Sequence, residues 1–207
     1  MPKKRLTNRR KPNKRILILC EGRETEPNYF KGLKHDKYHR NKLAALRIEI
    51  YDSNKNTGKE LVTEAKSLKK IANAEKNSYD AIWIVIDKDG YTKHPQTFDQ
   101  ANANKINIAF SSISFEFWFL LHFTYTTKAF HKSADLERHL RFEYMQNYEK
   151  YDDNYSKLKD KTGQAIDNAK KIQQYSQNDL NRGRKIYELN PYTDVDVLVQ
   201  KLLSLQA

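Results

Sequence analysis

The sequence predicts an α/β fold built on a mainly parallel four-stranded sheet that is sandwiched by helices. Two short apolar runs rich in Ile and Val, ILILC (residues 16–20) and AIWIVI (residues 81–86), are typical of strands buried on both faces. Segments with helical periodicity alternate with these runs and with two further strand-like segments. This alternation predicts parallel strands joined by right-handed crossovers.

The connecting helices carry their own signals. Thr25 or Glu26 can cap a helix after the first strand, and Pro27 suits its first turn. In residues 58–76, apolar residues recur at intervals of three and four, which gives a helix one apolar face. The predicted strands are residues 16–20, 46–51, 80–86 and 106–111, and the helices that join them begin near residue 25 and cover residues 58–76 and 95–104.

The remainder of the chain predicts a helical elaboration of the same domain. Residues 114–123 (SFEFWFLLHF) indicate a buried helix, and residues 128–190 are polar and rich in tyrosine. Thr193 and Asp196 resemble a capping box before a last helix. We therefore divide the chain into a basic flexible arm, residues 1–15, and one domain, residues 16–207, whose α/β core is residues 16–127 and whose helical elaboration is residues 128–207.

The charge of the chain points to a polyanionic partner. The formal net charge is +12 at pH 7, and the first fifteen residues contain eight Lys or Arg and no acid. Nucleic acid is the simplest such partner, because a basic surface attracts phosphates that an acidic pocket alone would repel. The alternative is a basic protein with no such ligand, whose arm is a solvated tail.

Cysteine content and hydropathy indicate a cytoplasmic protein. The single cysteine, Cys20, excludes an internal disulfide and a cysteine-rich zinc site, and a reducing compartment fits. The apolar run that follows the basic N-terminus is too short for a signal peptide or a membrane span. We expect a soluble, unprocessed chain that does not contact a membrane.

Acidic residues follow two of the predicted strands. Glu21 comes directly after residues 16–20, and Asp87 and Asp89 follow residues 81–86. If these strands are neighbours, as in the 2-1-3 order of many such sheets, the acids come within reach of one ion. Crowded carboxylates repel one another unless a cation lies between them, and hard oxygen ligands suit Mg²⁺ or Mn²⁺. The alternative is turn chemistry at Asp89-Gly90 with the acids on the surface.

Two further acids are candidates for the same site. Glu26 can hold a metal, or it can be a favourable acid at a helix N-terminus. Glu116 lies between two phenylalanines in an apolar segment, so it needs a metal or a basic partner. Lys88, between the two aspartates, is predicted to point to the opposite side of an extended segment.

Other motifs restrict the chemistry. The segment NTGKE (residues 56–60) lacks the leading glycine and the following Ser or Thr of a phosphate loop, so the chain is not expected to hydrolyse ATP by itself. Tyrosines interleave with Lys and Arg through residues 138–192. Such a pattern suits single-stranded nucleic acid, or else the tyrosines pack helices together.

Four segments, ILILCEGRETEPNYFKGL, WIVIDKDG, ISFEFWFLLHF and NPYTDVDVLVQKLL, in that order, resemble the RloB-like family of bacterial proteins over most of the chain. Family members resemble variants of the Toprim fold, which has a glutamate after its first strand and a DxD after its third. The resemblance assigns these positions to Glu21, Asp87 and Asp89. Glu116 falls on the acid of the family's later Phe-Glu-aromatic motif.

The resemblance implies a Mg²⁺- or Mn²⁺-dependent, Toprim-like nuclease that cleaves DNA or RNA in anti-phage defence. Glu21, Asp87, Asp89 and Glu26 would then bind the metal, with Glu116 completing the catalytic set. It also implies an ATPase partner protein and is compatible with a homo-oligomer. The alternatives are a non-catalytic nucleic-acid-binding or sensor subunit that regulates the ATPase, and a nucleotidyl transferase that uses the same metals.

Overall fold

The fold is seen in a computed structural model that describes residues 14–36, 46–52, 57–89 and 93–204. Most of the basic arm, residues 1–13, and Gly90 lie outside these ranges. Five strands form one sheet: β1 (Lys14–Cys20), β2 (Leu46–Asp52), β3 (Ala81–Asp87), β4 (Asn107–Ser112) and β5 (Tyr192–Thr193).

The strand order is β2-β1-β3-β4-β5. The first four strands are parallel, and β5 pairs antiparallel with β4. The predicted parallel four-stranded sheet and the adjacency of the first and third strands are therefore confirmed. The fifth strand, which has only two residues, was not predicted.

Eight α-helices lie within the described residues: α1 (Thr25–His35), α2 (Gly58–Ala74), α3 (His94–Ala103), α4 (Glu116–Leu121), α5 (Ser133–Glu143), α6 (Asn154–Leu158), α7 (Thr162–Asn181) and α8 (Val195–Ser204). The predicted helices thus form close to their expected bounds. Thr57 caps α2, because its side chain accepts a hydrogen bond from the backbone of Glu60 at 3.4 Å.

Alternate residues of β1 face two separate hydrophobic layers. Ile16 and Ile18 belong to a core that includes buried residues of α1, α4, α5, α7 and α8. Leu17 and Leu19 belong to the other core, with residues of α2 and α3. Continuous apolarity of the strand is therefore explained by helices on both faces.

Residues 128–204 pack onto the α/β core through α4 and through α1, which contacts α6. The predicted buried segment forms the short helix α4, in which all six residues are buried. Helices α5 and α7 contact it, and β5 extends the sheet. None of the helices within the described ranges combines the length and the apolar character needed to cross a bilayer.

Candidate functional site

The sheet topology brings Glu21 beside Asp87. Cys20 pairs with Val85 in the β1–β3 register, so Glu21 emerges where β3 ends. The backbone N–H of Glu21 donates to the carbonyl of Val85 at 3.1 Å. The backbone N–H of Asp87 in turn donates to the Oε2 atom of Glu21 at 3.2 Å. Parallel pairing therefore joins residues that are far apart in the sequence.

A pocket of about 490 Å³ at this edge of the sheet is lined by every acid that the sequence predicts for the site: Glu21, Glu26, Asp87, Asp89 and Glu116. Glu24 lines it as well and is exposed. Two basic residues, Arg23 and Lys150, also line the pocket. Six carboxyl groups and two basic groups thus share one concave surface.

The two aspartates of the DxD segment face this pocket, and the lysine between them does not line it. The Nζ atom of Lys88 donates to the carbonyls of Glu188 at 3.2 Å and Leu189 at 3.1 Å, so the prediction for Lys88 is confirmed. The Oδ1 atom of Asp87 is buried and accepts no hydrogen bond from a described residue. A buried carboxylate oxygen in this state lacks the partner that a proton or a cation would provide.

Glu26 reaches the pocket from the first turn of α1, where its side chain is buried. Its Oε1 atom accepts a hydrogen bond from the backbone N–H of Gly22 at 3.2 Å. A Cβ atom at position 22 would lie 2.8 Å from the carboxyl carbon of Glu26. Only glycine at position 22 leaves the carboxylate of Glu26 in this place.

Glu116 is buried at the start of α4 and is held by three side chains. Ser114 donates to its Oε2 atom at 2.5 Å, and the hydroxyl of Tyr148 donates to its Oε1 atom at 2.6 Å. The Nζ atom of Lys150 lies 3.8 Å from the same Oε1 atom and 2.7 Å from Glu137. Glu116 therefore has a basic partner, as one alternative predicted, and it also lines the acidic pocket, where its role in a metal site stays a prediction.

The crowded carboxyls retain protons to unusually high pH. Burial raises the pKa of Glu21 to about 7, and the nearby charge of Glu26 adds to this, while the Asp87 N–H opposes it. Burial likewise raises the pKa of Glu26 to about 7, with a contribution from Glu116. Burial and the charges of Glu26, Glu116 and Glu21 raise the pKa of Asp87 well above its usual range. A cation in the pocket would offset the part of these shifts that comes from the neighbouring carboxylate charges.

Lys150, Tyr148 and Ser114 were not predicted as parts of the site. Burial lowers the pKa of Lys150, but the hydrogen bond to Glu137 and the charges of Glu116, Glu137 and Asp87 outweigh it, so the net pKa is raised. Lys150 therefore carries its charge in the pocket. The interleaving of tyrosines with Lys and Arg through residues 138–192 is the sequence pattern that includes both Tyr148 and Lys150.

The chemistry of these residues fits a hard divalent cation, although their side chains are not arranged around one. Within the described ranges, no three His, Cys, Asp or Glu side chains are placed to hold a metal ion together. Glu21, Glu26 and Glu116 instead accept hydrogen bonds from protein donors. Asp87, whose Oδ1 atom has no described hydrogen-bond partner, and the neighbouring carboxylates would supply the oxygen ligands that Mg²⁺ and Mn²⁺ prefer.

Comparison with known proteins gives a match to a protein-family model. Searches among curated proteins and among solved structures found no match. The family model described as RloB-like protein matches residues 16–202, a range that contains every residue of the acidic pocket. The chain belongs to the RloB-like family.

Proposed function

We propose that the protein is a divalent-metal-dependent nuclease that hydrolyses phosphodiester bonds in DNA or RNA. The observation that carries this proposal is the pocket at the ends of β1 and β3, in which Glu21, Glu26, Asp87, Asp89 and Glu116 meet. Such an acidic pocket within a chain of net charge +12 suits a substrate that is itself a polyanion.

Glu21, Glu26, Asp87 and Asp89 would hold Mg²⁺ or Mn²⁺. Two features support this assignment. The buried Oδ1 atom of Asp87 has no described hydrogen-bond partner. Burial and, after it, the charges of neighbouring carboxylates raise the pKa values of Glu21 and Asp87, and a cation would offset the contribution of those charges. When bound, the cation would neutralise charge on phosphate oxygens and make a water molecule more acidic.

The residues of the chain would supply the proton transfer and the positioning. General base is the alternative role of Glu21, since burial raises its pKa to about 7 when no cation is bound to it, close to the value that suits a base near neutral pH. Lys150 and Arg23 are the basic groups that line the pocket, and they would attract and orient the phosphate. Ser114 and Tyr148 would act indirectly, because they fix the carboxylate of Glu116.

A second candidate is a non-catalytic nucleic-acid-binding or sensor subunit that regulates an ATPase partner. The observation that favours it is the hydrogen bonding of Glu116, which is engaged by Ser114 and Tyr148 and lies beside Lys150. In this function the acids would be neutralised by protons and by Lys150 instead of by a metal. Nucleic-acid binding would then be the same with and without chelator, and no substrate would be cut.

The deciding experiment is an incubation of the purified protein with Mg²⁺ or Mn²⁺ and a panel of duplex DNA, transfer RNA and single strands. We expect cleavage that is lost in excess chelator and in the Asp87→Asn variant. Undiminished cutting in either condition would contradict the proposal. Incorporation of labelled nucleotide in place of cutting would indicate a nucleotidyl transferase.

Action in anti-phage defence, together with an ATPase partner, is a further part of the proposal that the family resemblance suggests. Phage plating on cells that carry the wild-type gene, compared with the Asp87→Asn gene, tests it. Protection that needs Asp87 supports the role. Equal protection by both genes would remove the link between the acidic pocket and defence.

A further inference from the structure

The outer face of α5 exposes a large aromatic side chain. Phe142 is 80% exposed, whereas Leu136 and Leu140 of the same helix are fully buried. A single exposed apolar residue is ordinary on a protein surface. Phe142 differs because two grooves meet at it.

These grooves have volumes of about 660 and 490 Å³, and both are lined by Arg138 and Phe142. The larger groove also contains Glu137 and Arg141. The smaller one also contains Lys128, His131 and His139. An exposed aromatic ring therefore lies among several basic side chains, and we call this region the α5 surface.

The α5 surface adjoins the acidic pocket. Ser133, at the start of α5, lines the pocket. Glu137, one turn later, lines the larger groove and lies 2.7 Å from Lys150, which lines the pocket. The ion pair of Glu137 with Lys150 therefore connects the larger groove to the pocket, and Phe142 follows Glu137 by about 7.5 Å along the helix axis and about 140° around it.

The arginines of the α5 surface are available to an anion. Arg138 pairs with Asp135 at 3.3 Å, and Arg141 pairs with Glu149 at 3.3 Å. The arginine side chains in these pairs are 77% and 44% exposed. Exposed ion pairs of this kind contribute little stability, so a phosphate can replace the carboxylate at small cost.

We propose that the α5 surface binds unpaired nucleotides of a single-stranded nucleic acid, with a base stacked on Phe142 and the backbone on Arg138 and Arg141. Bases stack on exposed aromatic rings without sequence preference, and neighbouring cations hold the phosphates. The strand would pass from this surface over the Glu137–Lys150 ion pair to the acidic pocket. The inference rests on the proposed function in taking nucleic acid as the substrate, and it adds that the substrate is unpaired beside the site.

Binding to an oligothymidylate and to a duplex of similar length tests this proposal. The measurements are made in the Asp87→Asn background, so that cleavage does not interfere. Phe142→Ala is expected to lower the affinity for the single strand about ten-fold and to leave duplex binding unchanged, because stacking needs an unpaired base. The control is Tyr175→Ala on α7, where a 61% exposed aromatic ring lies outside both grooves.

A fluorescence measurement gives a second, direct readout. Both native tryptophans, Trp83 and Trp118, are buried, so a Phe142→Trp variant adds an exposed fluorophore. Its emission should be quenched by oligothymidylate as the base stacks on the indole.

The Arg141→Gln variant tests the phosphate contact: it should weaken oligothymidylate binding and reduce the salt dependence of that binding. Its control is Arg184→Gln, since Arg184 has a similarly exposed ion pair, with Asp179 at 3.1 Å.

The outcomes separate this proposal from the proposed function. Quenching and a loss of affinity in Phe142→Ala support the α5 surface even if no substrate is cut. Cleavage that is unchanged by Phe142→Ala, with equal single-strand affinity, overturns the α5 proposal and leaves the nuclease intact. Self-association that depends on Phe142, without an effect on nucleic-acid binding, would also overturn it and would show that a second copy covers the ring.

Discussion

The carboxylate of Glu21 accepts a hydrogen bond from the backbone N–H of Asp87 at 3.2 Å. This contact ties the residue after β1 to the last residue of β3. Glutamine at position 21 would keep an oxygen that can accept the same hydrogen bond. Charge at this position can therefore be removed while the local geometry is preserved.

Glu21→Gln and Asp87→Asn are expected to lower cleavage at least about 100-fold, because each removes a carboxylate that would bind the metal or, for Glu21, would act as the general base. Neither variant should lower the melting temperature near pH 8 in chelator, since an amide removes a buried negative charge. The measurements are cleavage rate and thermal unfolding. Asp167→Asn, at an exposed position of α7, is the control and should cut at the wild-type rate. An active Asp87→Asn enzyme would exclude the proposed metal role.

Stability should depend on pH in a direction set by the raised pKa values. Glu21 and Glu26 ionise near 4.5 when unperturbed and at about 7 in the folded protein. Between these values the folded state binds more protons than the unfolded state, so the free energy of unfolding falls as the pH rises and levels off above about 7. Urea unfolding over this range measures the slope, which Glu21→Gln should reduce.

Divalent metal should restore part of the free energy of unfolding that is lost as the pH rises. Protons compete with the cation, so Mg²⁺ or Mn²⁺ should raise the melting temperature more near pH 8 than near pH 6, by about 5 °C at saturation. Thermal unfolding with and without metal measures the difference. In the Asp87→Asn variant, metal should raise the melting temperature very little. An equal shift in that variant would indicate metal binding elsewhere.

Gly22→Ala should lower cleavage at least about ten-fold while the protein stays folded. The added methyl group would collide with the carboxylate of Glu26 and displace it from the pocket. Gly163→Ala is the matched control, because a Cβ atom there meets nothing within 4 Å and α7 gains about 0.5–1 kcal/mol of stability. Cleavage rates and thermal unfolding of the two variants give the comparison. Full activity of Gly22→Ala would show that Glu26 is dispensable.

Tyr148→Phe should destabilise the fold by about 1–3 kcal/mol, because it removes a buried hydrogen bond to the carboxylate of Glu116. Tyr175→Phe, at a ring that is 61% exposed, should change the free energy of unfolding by less than about 0.5 kcal/mol. Urea unfolding measures both. Equal stability of the two variants would mean that the Tyr148 hydroxyl contributes nothing net.

The sheet was predictable because its strands have strong local patterns. Residues 16–20 and 81–86 are apolar throughout, and helices of the expected length connect the strands. Adjacency of β1 and β3 then followed from the usual order of doubly wound sheets. The same topology placed Glu21, Asp87 and Asp89 at one edge, so their common pocket needed no long-range information.

The parts that were missed depend on contacts between distant segments. Strand β5 has two residues, and one of them, Thr193, was interpreted only as a helix cap. It does accept a hydrogen bond from the backbone of Val195 at 3.3 Å, but it also pairs with Ser111 of β4. Lys150 reaches Glu116 across more than thirty residues, and no local spacing indicates such a contact.

The hydrogen bond from Tyr148 to Glu116 joins the helical elaboration to the acidic pocket. A fragment ending at residue 127 would retain Glu21, Asp87, Asp89 and Glu116 but would lack the hydroxyl and the ammonium group that steady the last of them. Cutting the chain after residue 127 would thus leave the carboxylate of Glu116 destabilised in the N-terminal fragment. The tyrosine-rich region is therefore a structural component of the acidic pocket, because it supplies two side chains that contact Glu116.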